Sequence, residues 1–390
     1  MVKTSYEIVT ELRSRKRVFH STGGLPSKDR IAPATELLIE KVNLRQGDRV
    51  LDYGCGYGAV GIALADAAPG LEVHMVDSDI RAVRFAQRNA RANGAKNAHV
   101  VLDHTLNRFA NGYFDVVALS AAPDSTNDAV FEMIERAQPK LRHGAMLYVG
   151  AKANRGAKGL MRRLTETVGP AKVVARANGD WLMRAERSPI IPPQDGGAPR
   201  EHLIDEEIRG RKYRFRAGAG VFSSDRLDPG TRLLIETMEV RPAHSVIDVG
   251  CGYGAIGIVA AHLASVGRIV MVDCDARAFE YALANVRSHH LSHARKNGRP
   301  RVEVILGDRF DAVPGERFDR VLSHPPVHAG SDVLFPLVDD AYRHLRVHGR
   351  LYLAVVRYTA VRKHITKVFG NCRIASERGR HAVLVAERTA

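Results

Sequence analysis

The chain has 390 residues, 45% hydrophobic and 26% charged, with a formal net charge of +15, a length that suffices for two domains each burying its own core. No apolar run approaches the ~18 residues that span a bilayer, and the N-terminal stretch with Arg13, Arg15, Lys16 and Arg17 lacks the apolar centre of a secretory signal, so a cytoplasmic protein is expected. The four cysteines, Cys55, Cys251, Cys274 and Cys372, have no paired metal-ligand spacing, which argues against a zinc site or a disulfide framework.

In chain order, the first chemically telling unit is Val50-Leu51-Asp52-Tyr53-Gly54-Cys55-Gly56-Tyr57-Gly58-Ala59-Val60-Gly61. An apolar run suited to a buried strand ends in an acid, glycines turn the chain, and an apolar helical segment, Ile62 to Ala68, follows. The next apolar run, Leu71 to Val76, also ends in an acid, Asp77. Glycines let a ligand approach the main chain without meeting a Cβ. The same residues satisfy GxGxxG, the fingerprint that seats a pyrophosphate. Asp52, two residues before the first glycine, would set a carboxylate close to those phosphate charges, and so favours S-adenosylmethionine, which carries an ammonium and a sulfonium. Asp77 can accept both ribose hydroxyls of either ligand.

The unit recurs as Val246-Ile247-Asp248-Val249-Gly250-Cys251-Gly252-Tyr253-Gly254-Ala255-Ile256-Gly257, with Asp273 ending the run that follows. Thr35-Glu36-Leu37-Leu38-Ile39-Glu40 likewise returns as Thr231-Arg232-Leu233-Leu234-Ile235-Glu236, all at an offset of 196 residues (52 to 248, 77 to 273). A basic insertion, Ser288 to Arg301, then lengthens the offset before Phe318-Asp319 repeats Phe114-Asp115. One fold is used twice. Strands in the second copy are expected at Ser245 to Val249, Arg268 to Val272, Val302 to Leu306, Arg320 to Leu322 and Arg350 to Val356, with a terminal pair near Cys372 to Ala375 and Ala382 to Ala386. Alternation with helices implies a mostly parallel sheet covered on both faces, with ligands at the carboxyl ends of its strands. Pro-rich composition puts a linker at 188–200, between domains at 1–187 and 201–390.

The basic balance points to a polyanion. Arg209, Arg211, Lys212, Arg214 and Arg216 surround Tyr213 and Phe215, a mixture of phosphate partners and stacking rings that suits RNA. Ala151 to Arg163 holds five basic residues, Lys152, Arg155 and Lys158 among them, and Tyr281 to Val302 holds five more, neither stretch with an acid.

After the fourth expected strand comes Leu322-Ser323-His324-Pro325-Pro326-Val327-His328. Paired prolines fix φ and remove donors, so the carbonyls before and between them can face a cavity and accept from an exocyclic amine. The first copy has Ser120-Ala121-Ala122-Pro123-Asp124 there, and is expected to have no transfer chemistry.

These motifs, with Gly220-Val221-Phe222-Ser223, Leu227-Asp228, Gly230-Thr231-Arg232-Leu233-Leu234 and Gly150 to Gly159, give the chain a resemblance to the tandem-domain ribosomal RNA guanine-N2 methyltransferases over nearly its whole length. The resemblance implies two tandem Rossmann-like class I methyltransferase domains, each a mostly parallel seven-stranded sheet with helices on both faces. It implies a catalytic C-terminal half, and a degenerate N-terminal half that aids folding and RNA binding. Asp248, Gly250, Cys251, Gly252, Gly254 and Asp273 would hold S-adenosylmethionine. Asp308 would face its adenine, as Asp103 would in the first half. His324, Pro325 and Pro326 would orient the amine, with His324 or His328 receiving its proton. Arg211, Lys212, Arg214, Lys152, Arg155 and Lys158 would bind RNA. The expected partner is ribosomal RNA or a ribosomal subunit, and the expected form a monomer. Two departures stand out: the family's Asn-Pro-Pro-Phe is His324-Pro325-Pro326-Val327 here, and Arg357 replaces an asparagine. A second cofactor site at Asp52, Gly54, Gly56, Gly58, Asp77 and Asp103 stays open, as do two other functions: an RNA-binding or assembly protein without turnover, and a methyltransferase for a small molecule.

Overall fold

A computed structural model describes residues 5–121, 126–154, 156–192, 201–291, 295–296, 299–326 and 329–390. The chain divides into two units, Ser5–Arg200 and Glu201–Ala390. Ser188 to Pro192, assigned from sequence to a linker, are fastened to the first unit: Ser188 N–H donates to the Val168 carbonyl at 2.9 Å, and Arg187 Nη1 donates to those of Ser188 and Ile191. The remainder of that expected linker lies outside the described residues.

In the first unit the order is β1 (Ser5–Leu12), β2 (Arg15–Thr22), α1 (Pro33–Lys41), β3 (Arg49–Tyr53), α2 (Ala59–Leu64), β4 (Glu72–Asp77), α3 (Ile80–Ala92), β5 (Ala98–Leu102), β6 (Phe114–Ser120), α4 (Asn127–Ala137), β7 (Leu141–Lys152), α5 (Ala157–Thr167), β8 (Ala171–Ala177) and β9 (Asp180–Glu186). The second has β10 (Glu201–Ile208), β11 (Arg211–Gly218), α6 (Pro229–Thr237), β12 (Ser245–Val249), α7 (Ala255–Leu263), β13 (Arg268–Asp273) and α8 (Ala276–Ser288). Then come two-residue strands β14 (Arg295–Lys296) and β15 (Arg299–Pro300), followed by β16 (Val302–Leu306), β17 (Phe318–Ser323), α9 (Ser331–His344), β18 (Leu345–Val356), α10 (Thr359–Phe369), β19 (Arg373–Arg378) and β20 (His381–Glu387). The offset of 196 residues holds from the first hairpin through α8 (5 to 201, 80 to 276), a longer stretch than sequence identity reveals.

Each unit has a seven-stranded sheet, ordered β5-β4-β3-β6-β7-β9-β8 and β16-β13-β12-β17-β18-β20-β19. The first five strands of each order run parallel and the last two pairings are antiparallel. Strands buried on both faces need continuous apolar runs rather than alternation, as Val246-Ile247 and Ile269-Val270-Met271-Val272 supply. Helices α6, α7 and α8 pack one face with β10 and β11, while α9 and α10 pack the other. Chain order reverses between β12 and β17, which are neighbours although β13 and β16 intervene in sequence. A cleft opens above the carboxyl ends of strands at such a reversal.

The hairpins β1-β2 and β10-β11 escape a sequence reading that sees only basic residues around Tyr213 and Phe215. Strand alternation sends Tyr213 and Phe215 inward, 5% and 0% exposed, and their rings stack at 5.7 Å. They are core residues, which overturns the expectation that they stack on RNA. A buried amide fixes each hairpin. Asn285 on α8 accepts from Arg216 N–H at 2.8 Å and donates to the carbonyls of Arg216 and Tyr253. Asn89 does the same for His20 and Tyr57. Among the described residues no helix is long and apolar enough to cross a membrane.

Candidate functional site

The carboxyl ends of β12 and β17 bring the two sequence motifs to one cleft, since Val249 pairs with Ser323 and Ser323 Oγ donates to the Val249 carbonyl at 2.7 Å. After β12, Gly250, Gly252 and Gly254 take φ of +74°, +57° and +92°, values that strain any other residue. A Cβ on Gly250 or Gly252 would meet nothing within 4 Å, so both glycines border open space. The loop is braced by acids. Asp273 Oδ2 accepts from Gly252 N–H at 2.8 Å and its Oδ1 from Asp275 N–H at 3.0 Å. Asp248 Oδ2 accepts from Gly257 N–H at 2.8 Å.

The other oxygen of Asp248 is buried without a hydrogen-bond partner. Burial, with the nearby Asp273 charge adding to it and the Gly257 bond opposing it, pushes this carboxyl up to about 7. A buried acid with an unsatisfied oxygen is costly by itself, and a cationic group in the cleft would offset that cost. The donor set therefore fits a ligand with a positively charged tail and a ribose. Cys251 is buried and its thiol is pushed well up by that burial, as befits a small filler. Asp308, two residues beyond the β16 register pair of Asp273, is half-buried beside Arg309.

His324 is turned into the protein. Its Nδ1 lies 2.8 Å from Thr231 Oγ1 and 3.5 Å from Asp228 Oδ1, the carboxylate that caps α6 by accepting from Gly230 and Thr231 N–H. Burial holds the imidazole below its usual titration range, with Asp228 opposing and His381 reinforcing that effect. His381 is also buried, and its Nδ1 has no partner. Gly230 makes room for both rings: a Cβ there would stand 2.6 Å from His381 Nδ1 and 2.8 Å from His324 Nε2. Pro325 is buried and Pro326 exposed. At the register of Pro325 the first unit has Ala121, whose N–H donates to the Gly150 carbonyl at 2.9 Å, a bond that proline cannot make. Val327 and His328 lie outside the described residues.

Sequence reasoning quoted Phe222, Asp228 and Thr231 only as part of the resemblance, without a role, and passed over His381. Phe222 is 47% exposed and meets the His324 ring edge-on at 5.7 Å. It stands beside the proline motif, where Val327 offers no aromatic surface. The exposure of Phe222 and the left-handed conformation of Ser223, at φ +52°, become visible only in the fold.

The basic residues sort unevenly. Lys212, Arg211, Lys152 and Lys158 are exposed, whereas Arg214 is held by Asp205 at 2.6 and 2.9 Å; Arg155 lies outside the described residues. Arg209 caps α6 through the carbonyls of Ile235, Glu236 and Met238. Buried Arg301 does the same for α7 at Ala261 and Ala264. These two cations are structural.

In the first unit Asp52, Gly54, Gly56, Gly58 and Asp77 take the same places as Asp248, Gly250, Gly252, Gly254 and Asp273. Asp103 does not match Asp308: the β4-β5 register puts it level with Gly307, and it closes a turn on Thr105.

Two doubly wound seven-stranded sheets in tandem, each with an acid-and-glycine cradle at its reversal, define the Rossmann-like methyltransferase fold. The chain belongs to the Methyltransferase small domain family, which it matches over residues 16–184 and 212–385. Ribosomal RNA large subunit methyltransferase G of Shewanella amazonensis is 27% identical over 359 residues, spanning 89% of this chain and 88% of that protein. Ribosomal RNA small subunit methyltransferase C of Pseudomonas entomophila is 29% identical over 350 residues, spanning 88% and 96%. Among solved structures, the T. thermophilus 16S rRNA N2 G1207 methyltransferase in complex with AdoMet and guanosine superposes with a TM-score of 0.81 at 23% identity, over 97% of this chain and 98% of that one.

Proposed function

We propose that the chain is an S-adenosylmethionine-dependent methyltransferase acting on the exocyclic N2 amine of a guanine in ribosomal RNA, with its chemistry in Glu201–Ala390. The reading is carried by the meeting, at the end of β17, of a proline-fixed slot and a braced acid-glycine cradle. The full-length similarity to ribosomal RNA methyltransferases supports it.

Asp248, Gly250, Cys251, Gly252, Gly254, Asp273 and Asp308 are the residues to hold the methyl donor, which when bound supplies a methyl group on a sulfonium. Phe222 gives the guanine a face to lie on, and the Pro325 carbonyl accepts from the amine. An amine that gains a methyl must lose one proton. With Nδ1 occupied by Thr231, His324 has Nε2 left to take it, and burial keeps the ring neutral for that task. Positioning supplies most of the rate. Lys152, Lys158, Arg211 and Lys212 bind phosphates, Ser5–Arg200 assists in holding RNA, and the enzyme acts in the cytoplasm as a monomer.

The test is transfer of labelled methyl from S-adenosylmethionine to unmethylated ribosomal RNA and to both ribosomal subunits, with mass spectrometry of the digested RNA. N2-methylguanosine is expected. Label at any other position, or none on any substrate, overturns the reading.

A further inference from the structure

Ser5–Arg200 keeps a cradle like that of the second unit although the motif after its fourth parallel strand differs. Gly54, Gly56 and Gly58 hold φ of +77°, +56° and +94°, within a few degrees of their counterparts in the second unit. Asp77 Oδ2 accepts from Gly56 N–H at 2.8 Å, and Asp52 Oδ2 accepts from Gly61 N–H at 2.8 Å. Asp52 is fully buried, and its Oδ1 has no hydrogen-bond partner. A scaffold gains nothing from such a group, because an unsatisfied buried oxygen costs about 1–3 kcal/mol. Negative charge held beside the glycine loop would be offset by a cationic ligand in the cleft. Gly56 faces open space, with nothing within 4 Å of where a Cβ would stand.

The acceptor side of this cleft is different. Ser120 occupies the register position of His324 and meets Thr35 Oγ1 at 2.8 Å. Ala121 replaces the first proline, and exposed Pro26 replaces Phe222. Among the described residues, these positions supply no imidazole and no aromatic ring to orient a base.

We propose that the cleft lined by Asp52, Gly54, Gly56, Gly58 and Asp77 binds a second S-adenosyl nucleoside, either the methyl donor or its demethylated sulfide, without transferring a methyl group. The proposal rests on the reading that the equivalent cleft in the second unit binds this nucleoside. Two differences make the first site the weaker. Met133 Cε stands 3.1 Å from where a Cβ of Gly54 would be, whereas Gly250 faces open space. A thioether on a flexible stem yields to a ligand, but at some cost. Asp103 is also committed to Thr105, so the contact that Asp308 offers to an adenine edge is missing.

Equilibrium dialysis of the full chain against labelled S-adenosylhomocysteine tests this. Two molecules per chain are expected, the tighter lost in Asp273→Asn and the weaker in Asp77→Asn. Met133→Ala should tighten the weaker site about two- to tenfold, since a rotamer-rich side chain no longer has to be displaced. In the Asp273→Asn chain, saturating ligand should still slow hydrogen exchange across residues 53–61. A single site, lost in Asp273→Asn and unmoved by Asp77→Asn and Met133→Ala, overturns the second site alone. Absence of all binding overturns the reading of both clefts.

Discussion

His324 Nδ1 lies 2.8 Å from Thr231 Oγ1, and Ser120 Oγ lies 2.8 Å from Thr35 Oγ1 at the matching place in the first unit. One threonine in the first turn of a helix thus holds the residue at the carboxyl end of the fourth parallel strand in both copies, and only the second copy gives it a basic nitrogen. Replacing His324 with alanine should lower turnover about 10²- to 10⁴-fold, the range for a lost proton acceptor. His324→Asn should keep part of the rate by orienting the amine. Because burial lowers the imidazole's pKa, the neutral base persists below its ordinary 6.5 and is lost only as pH falls further. At saturating methyl donor, where protonation of Asp248 no longer limits binding, the acidic limb of the rate profile should therefore lie below 6.5 and disappear in His324→Asn. A limb unchanged in that variant would refute the base role.

Phe222 is testable by separating binding from turnover. Loss of one base-aromatic stack costs about 1–3 kcal/mol, so Phe222→Ala should weaken use of RNA by about five- to 150-fold, mainly in KM. Phe222→Trp should restore it, and affinity for the methyl donor should not change.

Asp248, pushed up to about 7, must shed its proton to meet a cation. Affinity for S-adenosylmethionine should rise with pH up to about 7 and level off above it, falling about tenfold for each unit below. Titration calorimetry in buffers of different ionisation enthalpy should register proton release below pH 7. In Asp248→Asn the dependence should be flat.

Asn285 binds the hairpin and the glycine loop with one amide. Asn285→Ala strands buried backbone groups, at about 1–3 kcal/mol for each one left unsatisfied. Denaturant midpoints should fall accordingly, and exchange in β11 should rise before the rest of the unit opens.

Salt dependence should distinguish the surface cations. Removing Arg211 or Lys212 should each reduce the slope of log affinity against log salt by about 0.7 for single-stranded RNA. Removing Arg214 should do less, because Asp205 already neutralises it.

The duplication, the parallel strands and the glycine cradle were legible because they depend on local rules: apolar runs for strands buried on both faces, and glycine wherever φ is positive. The hairpins were not. Arg211-Lys212-Tyr213-Arg214-Phe215 reads as a basic aromatic patch until alternation in a strand buries Tyr213 and Phe215. Arg209 and Arg301 looked like phosphate ligands because helix carbonyls that need capping are invisible in a linear chain. The set around His324 joins residues 228, 231, 324 and 381, brought together only by packing.

Gly230 also bears on how the two copies could interconvert. Its counterpart is Ala34, buried in the first unit, so a methyl group already stands where an imidazole would need space. Installing histidine at Ser120 alone would force a steric conflict with Ala34, and trimming Ala34 alone would leave a void. A histidine at the end of β6 would therefore be accommodated only together with a glycine at position 34, as Gly230 accompanies His324 in the second unit.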